Sequence, residues 1–557
     1  MSSEITRTGS RAAPRTAKAA RAGSHNRDLD SSHSGGVSED GTTGRVGNVS
    51  WEISGGEPAR VQPLDQGRKA EAGRATGEVG VPRSSEDPPE SKSGGERRGG
   101  TWVKARQSSE GPGDGREEAV ARLFDRIGTP IKVQKLQRTL YRKAKAEPGY
   151  RFYSLYGELL RPDLIDRAMV MVAHNDGVAG IDGQECSVLV DDQTREIWKT
   201  QLLEELRTKR YRPGPVLRVY IPKEDGKQRP LGIPTVKDRV VQAAVAIVML
   251  PILEADSHPN SYAYRPKRGA HQAMKAIGKA VVEGRWEVID ADLSGCFDSI
   301  PHQALLRIVS RRISDGMILK LVRGWLKAPI VERNPKTGRR TRKDNEQGTP
   351  QGGVISPLLA NAYLNRLDWE VNERCEGKPV MVRYADDFVI LARKGQGPQL
   401  LERLKRWLTH RGLKLNETKT RLVDLRREGI KFLGFEMMGR QATRSQKWYP
   451  HVEPHPKSLK KLRDKIREKL NRGTLGRALE EVIPELNRQL KGWSHYFHYG
   501  NSTRAFGQVN RYVVGRLSRW WWRKHGCSRG QWNQLTVEVL QERHQLFRLP
   551  QTAAWRR

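Results

Sequence analysis

Cysteine is scarce and unpaired. The chain has four, Cys186, Cys296, Cys375 and Cys527, far apart and with no CxxC pair. This excludes a zinc ribbon and a disulfide scaffold and fits a reducing compartment. Long apolar runs are missing as well. None reaches transmembrane length, and the N-terminus lacks the apolar core of a secretory signal. Acidic residues are outnumbered, 64 against 100 Lys and Arg, which leaves a formal charge of +36 over 557 residues. Such an excess implies a polyanionic partner, with nucleic acid ahead of an anionic membrane surface. The last deficit is local. Residues 1–115 contain no Phe, Tyr or Cys, and their only aromatics are Trp51 and Trp102. A chain this poor in large apolar side chains cannot offset its ordering entropy, so a disordered basic tail is expected there. Its Arg-, Ser- and Ala-rich opening also has the composition of an organelle transit peptide, a minor alternative to a bacterial cytoplasmic, nucleoid-associated protein.

Apolar periodicity begins near Ala119. "FYSLYGELLRPDLIDRAMVMVAHNDG" reads as a helix broken at Gly177, followed by a turn at "GIDGQ". From Val216 short strands alternate with helices. "VLRVYIPKEDGKQRPLGIP" reads as two strands joined at Asp225-Gly226, and "DRVVQAAVAIVMLPILEA" as a buried helix. "WEVIDADLSGCF" is a strand entering a helix, "VRYADDFVILAR" a hairpin, and "GIKFLGFEM" a further strand. After about residue 450 the pattern turns helical and basic. Leu459, Leu462, Ile466 and Leu470 share one face. Pro484 is expected to open the next helix, and a third follows Asn501, Ser502 and Thr503 with Phe506, Val509, Val513, Leu517 and Trp520 on one side.

The chemistry concentrates in residues 382–391, "VRYADDFVIL", where Asp386 and Asp387 interrupt a strand-forming run. Unpaired carboxylates are costly inside a sheet, so the pair belongs at a turn, where the oxygens leave it. Arg383 is the one cation in the stretch available to compensate them. A third carboxylate, Asp292 at a strand end in "VIDADLSGCFDSI", completes a set able to hold two divalent ions. Hard oxygen ligands suit Mg²⁺, with Mn²⁺ as a substitute, and two ions about 3.5–4 Å apart serve in-line phosphoryl chemistry. A double aspartate alone is more often a solvated turn, and Asp290 and Asp298 alone read as helix caps or salt-bridge partners.

"YADD" in an apolar hairpin resembles the active-site motif of reverse transcriptases. The ordered series resembles the proteins encoded by mobile group II introns: "IPKEDGKQRPLGIPTVKDRVVQ" (221–242), "DADLSGCFDSIPH" (290–302), "GTPQGGVISPLLANAYLNRLD" (348–368), "VRYADDFVILAR" (382–393), "GLKLNETKT" (412–420) and "KFLGFEM" (431–437). "GVAGIDG" (177–183) is similar to that family's N-terminal fingers extension and "LNRQLKGWSHYF" (486–497) to its maturase, or thumb, domain. The resemblance covers roughly residues 120 to 525. It implies an α+β right-hand polymerase fold of fingers and palm, followed by a helical thumb/maturase bundle. The expected division is a tail at 1–115, a fingers extension at 116–215, fingers and palm at 216–445, a thumb at 446–526 and a short segment at 527–557.

By that resemblance Asp292, Asp386 and Asp387 are the catalytic, metal-binding residues. Lys223 and Arg229 contact the triphosphate of a dNTP. Phe297 lies under the sugar and selects against a 2′-hydroxyl, although without the family ordinary core packing is the better reading of it. Gln351 supports the template–nucleotide pair, Gly352 and Gly353 permit close backbone approach, and Lys419 helps hold phosphate or is a solvated lysine. Lys491, Arg504, Arg511, Arg519, Arg523 and Lys524 are candidates for the nucleic-acid backbone. Partners are then intron RNA, an RNA template with DNA primer, and target DNA, with no membrane; a homodimer stays open. The C-terminal region lacks the paired cysteines of the family's endonuclease, which implies the endonuclease-less branch. Two other readings remain at this point, a domesticated maturase that only binds RNA and a related reverse transcriptase in phage defence.

Overall fold

In the computed structural model, the described residues are 129–552 except 176, 223–225, 227, 334–336 and 527–535. The expected tail at 1–115 lies outside them. Three helices come first, α1 (Ile131–Ala146), α2 (Pro162–Asn175) and α3 (Asp192–Arg207). The long apolar segment from Phe152 is not one helix. A short 3-10 turn at Tyr156–Leu160 precedes Pro162, which caps a fresh start. Strands β1 (Val216–Pro222) and β2 (Gln228–Ile233) form the expected hairpin, with Tyr220 opposite Pro230. Helix α4 (Val236–Ala255) starts where the Thr235 side chain accepts from the Asp238 amide, and nearly all its residues are buried.

Helix α5 (Ala270–Val282) leads into β3 (Glu287–Ala291), a four-residue helix α6 (Cys296–Ser299), and helices α7 (His302–Ser310) and α8 (Gly316–Leu326). Strands β4 (Ile330–Arg333) and β5 (Arg340–Lys343) complete a four-stranded sheet in the order β2-β1-β4-β5, in which β1 and β4 run parallel. Helix α9 (Ser356–Trp369) precedes β6 (Val380–Tyr384) and β7 (Asp387–Ala392); helix α10 (Gly397–Thr409) and β8 (Arg421–Asp424) follow. These strands make an antiparallel sheet in the order β6-β7-β3-β8. Phe388 to Ala392 are all buried, which explains why this strand reads as an unbroken apolar run rather than an alternating one. Ala273, Met274, Ile277 and Val281 of α5 recur at helical spacing and join Val382, Val389 and Leu391 in one core.

"GIKFLGFEM" is two strands, not one. β9 (Ile430–Phe432) turns at Leu433 and Gly434, both with positive φ, into β10 (Phe435–Gln441), which pairs with β11 (Trp448–Pro454). The C-terminal bundle contains α11 (Pro456–Lys469), α12 (Leu479–Phe497) and α13 (Thr503–His525). Pro484 lies inside α12 instead of opening it. The helix starts five residues earlier because Leu479, Val482 and Ile483 already belong to its buried face. Phe506, Val509, Val513, Leu517 and Trp520 of α13 are buried on one side as their spacing requires. The chain then returns: α14 (Val537–Glu542) buries Leu540, and Leu546 and Leu549 join the same core.

Candidate active site

The hairpin β6–β7 closes with two residues, because Tyr384 pairs with Asp387 and leaves Ala385 and Asp386 as the loop. Ala385 has φ +62° while Asp386 is absent from the positive-φ residues, the pattern of a type II′ turn. Glycine normally takes that first position. An alanine there is strained by about 1–2 kcal/mol, so something must hold it. Arg383 does. It is almost fully buried, and its guanidinium donates five bonds: two to the Asp368 carboxylate (2.8 and 2.6 Å), and one each to Asn361 Oδ1 (2.8 Å), Ser261 Oγ (2.8 Å) and the Ala385 carbonyl (2.9 Å). Every N–H of the fork has an acceptor. The cation expected to compensate the double aspartate is therefore spent on Asp368 of α9, and it clamps the turn from below.

Sheet register brings the third carboxylate in. Ala291 of β3 pairs with Phe388 of β7, so one step further along the antiparallel ladder places Asp292 against Asp387. The electrostatics agree. Burial, followed by the charges of Asp386 and Asp292, raises the Asp387 carboxyl to about 6. Burial, with Asp292 adding to it against Arg229, raises Asp386 as well. Asp292 accepts from Asn416 Nδ2 (3.0 Å) and Lys419 Nζ (3.1 Å). Lys419 thus reaches the site as the ion-pair partner of Asp292. Asp290 accepts from Arg421 (3.2 Å), and its charge adds to the crowding at Asp387.

The nucleotide-side candidates converge on one amide. Gln351 accepts from Arg229 Nε (3.0 Å) through Oε1, and its Nε2 donates to Asp298 Oδ2 (3.4 Å). The Gln351 carbonyl accepts from the Gly232 amide at 2.6 Å. Gly352, at φ +125°, lies so close to Gly232 that a Cβ would sit 2.4 Å from its carbonyl oxygen; only glycine fits there. Phe297 is buried, and its carbonyl accepts from the Thr349 amide (2.6 Å). Lys223 lies outside the described residues. Sequence reasoning missed Asp368, Asn361 and Asn416, and gave Arg383 the neighbouring aspartates as partners in place of Asp368. Their one available signal was a lone acid on the otherwise apolar face of α9.

On the C-terminal helices Arg504, Arg511, Arg519 and Arg523 are exposed, and Lys491 lies 5.8 Å from the Phe547 ring. Lys524 is engaged instead with the Arg477 carbonyl (2.5 Å) and the Trp520 ring. Trp520 is core, donating to Thr474 Oγ1 at 3.1 Å.

Among the described residues, no group of three or more His, Cys, Asp or Glu side chains is gathered closely enough to hold a metal ion by itself, and no helix is long and apolar enough to cross a membrane.

The family profile described as reverse transcriptase (RNA-dependent DNA polymerase) matches residues 221–437, and that of the group II intron maturase-specific domain matches 459–536. Protein YkfC of Escherichia coli K12 is 33% identical over 351 residues, 56% of this chain and 89% of that one. The group II intron-encoded protein LtrA of Lactococcus lactis subsp. cremoris is 36% identical over 222 residues, 39% of this chain and about a third (35%) of LtrA. A telomerase from Candida albicans superposes at TM-score 0.37 with 13% identity over 62% of this chain and 68% of that one, too loosely to carry an argument. With two matched domains in series and nine-tenths of one relative covered, the chain belongs to the group II intron-encoded reverse transcriptases with a maturase domain, a family of RNA-directed DNA polymerases.

Proposed function

We propose that this chain copies its intron RNA into DNA by two-metal nucleotidyl transfer and holds the same RNA as a splicing maturase, in support of retrohoming. The observation that carries the polymerase reading is the register that sets Asp292 beside Asp387 at the end of a strained hairpin. Divalent-metal dependence is general to the family; here Asp292, Asp386 and Asp387 would hold two Mg²⁺ ions. Their oxygen chemistry and mutually raised proton affinities fit such a cation pair. When bound, divalent ions supply Lewis-acid activation of a primer 3′-hydroxyl and charge compensation for the departing pyrophosphate.

The protein's own groups do the positioning. Arg383 fixes the height of Asp386 through the Ala385 carbonyl. Lys419 and Asn416 orient the Asp292 carboxylate. Arg229, with Lys223, binds the triphosphate of a dNTP, and Gln351 couples Arg229 to the floor of the nucleotide site. Phe297 excludes a ribose 2′-hydroxyl. The exposed cations Arg504, Arg511, Arg519 and Arg523, with Lys491, meet the phosphates of intron RNA and of the template–primer duplex. Target DNA is the acceptor in retrohoming. Asp386→Ala and Asp387→Ala should each abolish primer extension on an RNA template and leave RNA affinity within about twofold. Normal extension by either variant sinks the assignment.

A further inference from the structure

A cleft of about 660 Å³ opens between the C-terminal ends of α1, α4 and α7 and one face of α9. It is distinct from the cations of the C-terminal helices. It shares a wall with the catalytic hairpin, because Asn361 lines it and also accepts from Arg383. Tyr264 lines it too. Burial raises that phenol first, and the nearby Asp386 charge adds to it.

The charge of this cleft is not balanced. Its acids are spent: Glu254 pairs with Arg265 and Asp256 with Arg312. Arg311 and Arg366 also line it; among the described residues neither has a carboxylate within 4 Å, and Arg366 feels Glu370 only at longer range. Arg366 is half-buried on α9, where burial and then the repulsion of Arg411, Arg311 and Arg374 lower its proton affinity. Glu370 draws Arg366 the other way but pairs with Arg374 (3.5 Å), so Arg311 and Arg366, close enough to repel, are stabilised by an added anion. Trp369 stands at the same cleft, 40% exposed, fixed by its Nε1–H donating to the Asp256 carbonyl (2.9 Å) and by the edge-on His258 ring. An exposed indole at a cleft that also holds the guanidiniums of Arg311 and Arg366 suits an unpaired nucleotide, with phosphate on arginine and base on the ring.

The geometry points to a second RNA-binding site in this cleft, in which Arg311 and Arg366 hold phosphate and Trp369 stacks on an unpaired base of folded RNA. This rests on the RNA-binding reading above. The volume suits one or two nucleotides, within the roughly 300–1,000 Å³ of ordinary ligand sites.

The test uses the full chain, a U20 RNA oligonucleotide containing 4-thiouridine, and binding measured from 50 to 400 mM KCl. Each phosphate contact on a single strand contributes about 0.7 to the slope of log affinity against log salt, so Arg311→Gln/Arg366→Gln should lower its magnitude by about 1.4 and weaken binding roughly 25-fold at 0.1 M KCl. Arg366→Lys keeps the charge and should keep the slope. If the double variant fails to fold, Arg311→Gln alone should lower the slope by about 0.7. Photo-cross-links should include the peptide bearing Trp369. An unchanged slope together with cross-links confined to the C-terminal helices overturns the proposal. Primer extension by wild type in the same preparation separates the two claims: extension with an unchanged slope fails the cleft alone, and no extension fails the polymerase reading.

Discussion

Arg383→Ala removes five hydrogen bonds and leaves Asp368, 1% exposed, as an uncompensated buried carboxylate. Breaking a buried pair from one side costs about 3–5 kcal/mol. Unfolding entropy near 2.1 cal/mol/K per residue over roughly 400 described residues gives ~0.8 kcal/mol per degree, so Tm should fall by about 5 °C. That loss alone does not distinguish packing from positioning. Arg383→Leu/Asp368→Leu does, because it removes both charges together and should recover most of the Tm. The double variant still lacks the bond to the Ala385 carbonyl, so the positive-φ residue of the turn relaxes and Asp386 moves with it. A displacement of about 1 Å at reacting groups costs on the order of 100-fold. The expected result is a kcat about 100-fold down with dNTP KM nearly unchanged, since Arg229 is untouched. Calorimetry and single-nucleotide extension on one RNA template measure both quantities. Recovery of kcat together with Tm in the double variant would show that Arg383 only fills the core, and the clamp would be refuted.

Two further outcomes are expected. Asp387 carries a carboxyl raised to about 6 in the folded protein. The folded state therefore binds its proton more tightly than the unfolded one, and the charged form is a penalty that grows between pH 4 and 6 and is complete above 6. In EDTA, Asp387→Asn should exceed wild type in stability above pH 6.5 and match it near pH 4. The full linkage is roughly 3 kcal/mol, which solvent reaching Asp387 at the open end of its strand reduces to about 1. Melting curves across that range check it, and equal stability at pH 7.5 contradicts the crowding of three carboxylates. Phe297→Ala should raise ribonucleotide incorporation at least tenfold over wild type in competition with dNTPs; unchanged sugar selectivity would return Phe297 to ordinary core packing.

Much of the site was legible in the chain. The double aspartate in an apolar hairpin, the strand leading to Asp292 and the glycines after Gln351 all depend on local pattern: period-two strands, turn chemistry and residues without a Cβ. Helix faces in the C-terminal bundle were legible for the same reason. The errors were at boundaries. Proline was taken as a helix start at 484 although burial upstream already paid for a turn of helix, and a Leu433–Gly434 reversal hid inside what looked like one strand.

The sequence by itself determined the class of chemistry and singled out three carboxylates to propose for it, because an ordered series of local motifs needs no contact map. Only the tertiary structure decided what each charge faces. Arg383, one residue before the Tyr384–Ala385 step, looked like a partner for the aspartates beside it. A strand points neighbouring side chains to opposite faces, so Arg383 turns into the core to Asp368, fifteen residues back on a helix, and Asp292 meets Asp387 from almost a hundred residues away through the register of β3 on β7. Which cations are spent and which remain for RNA follows from those long-range pairings, and no local pattern encodes them.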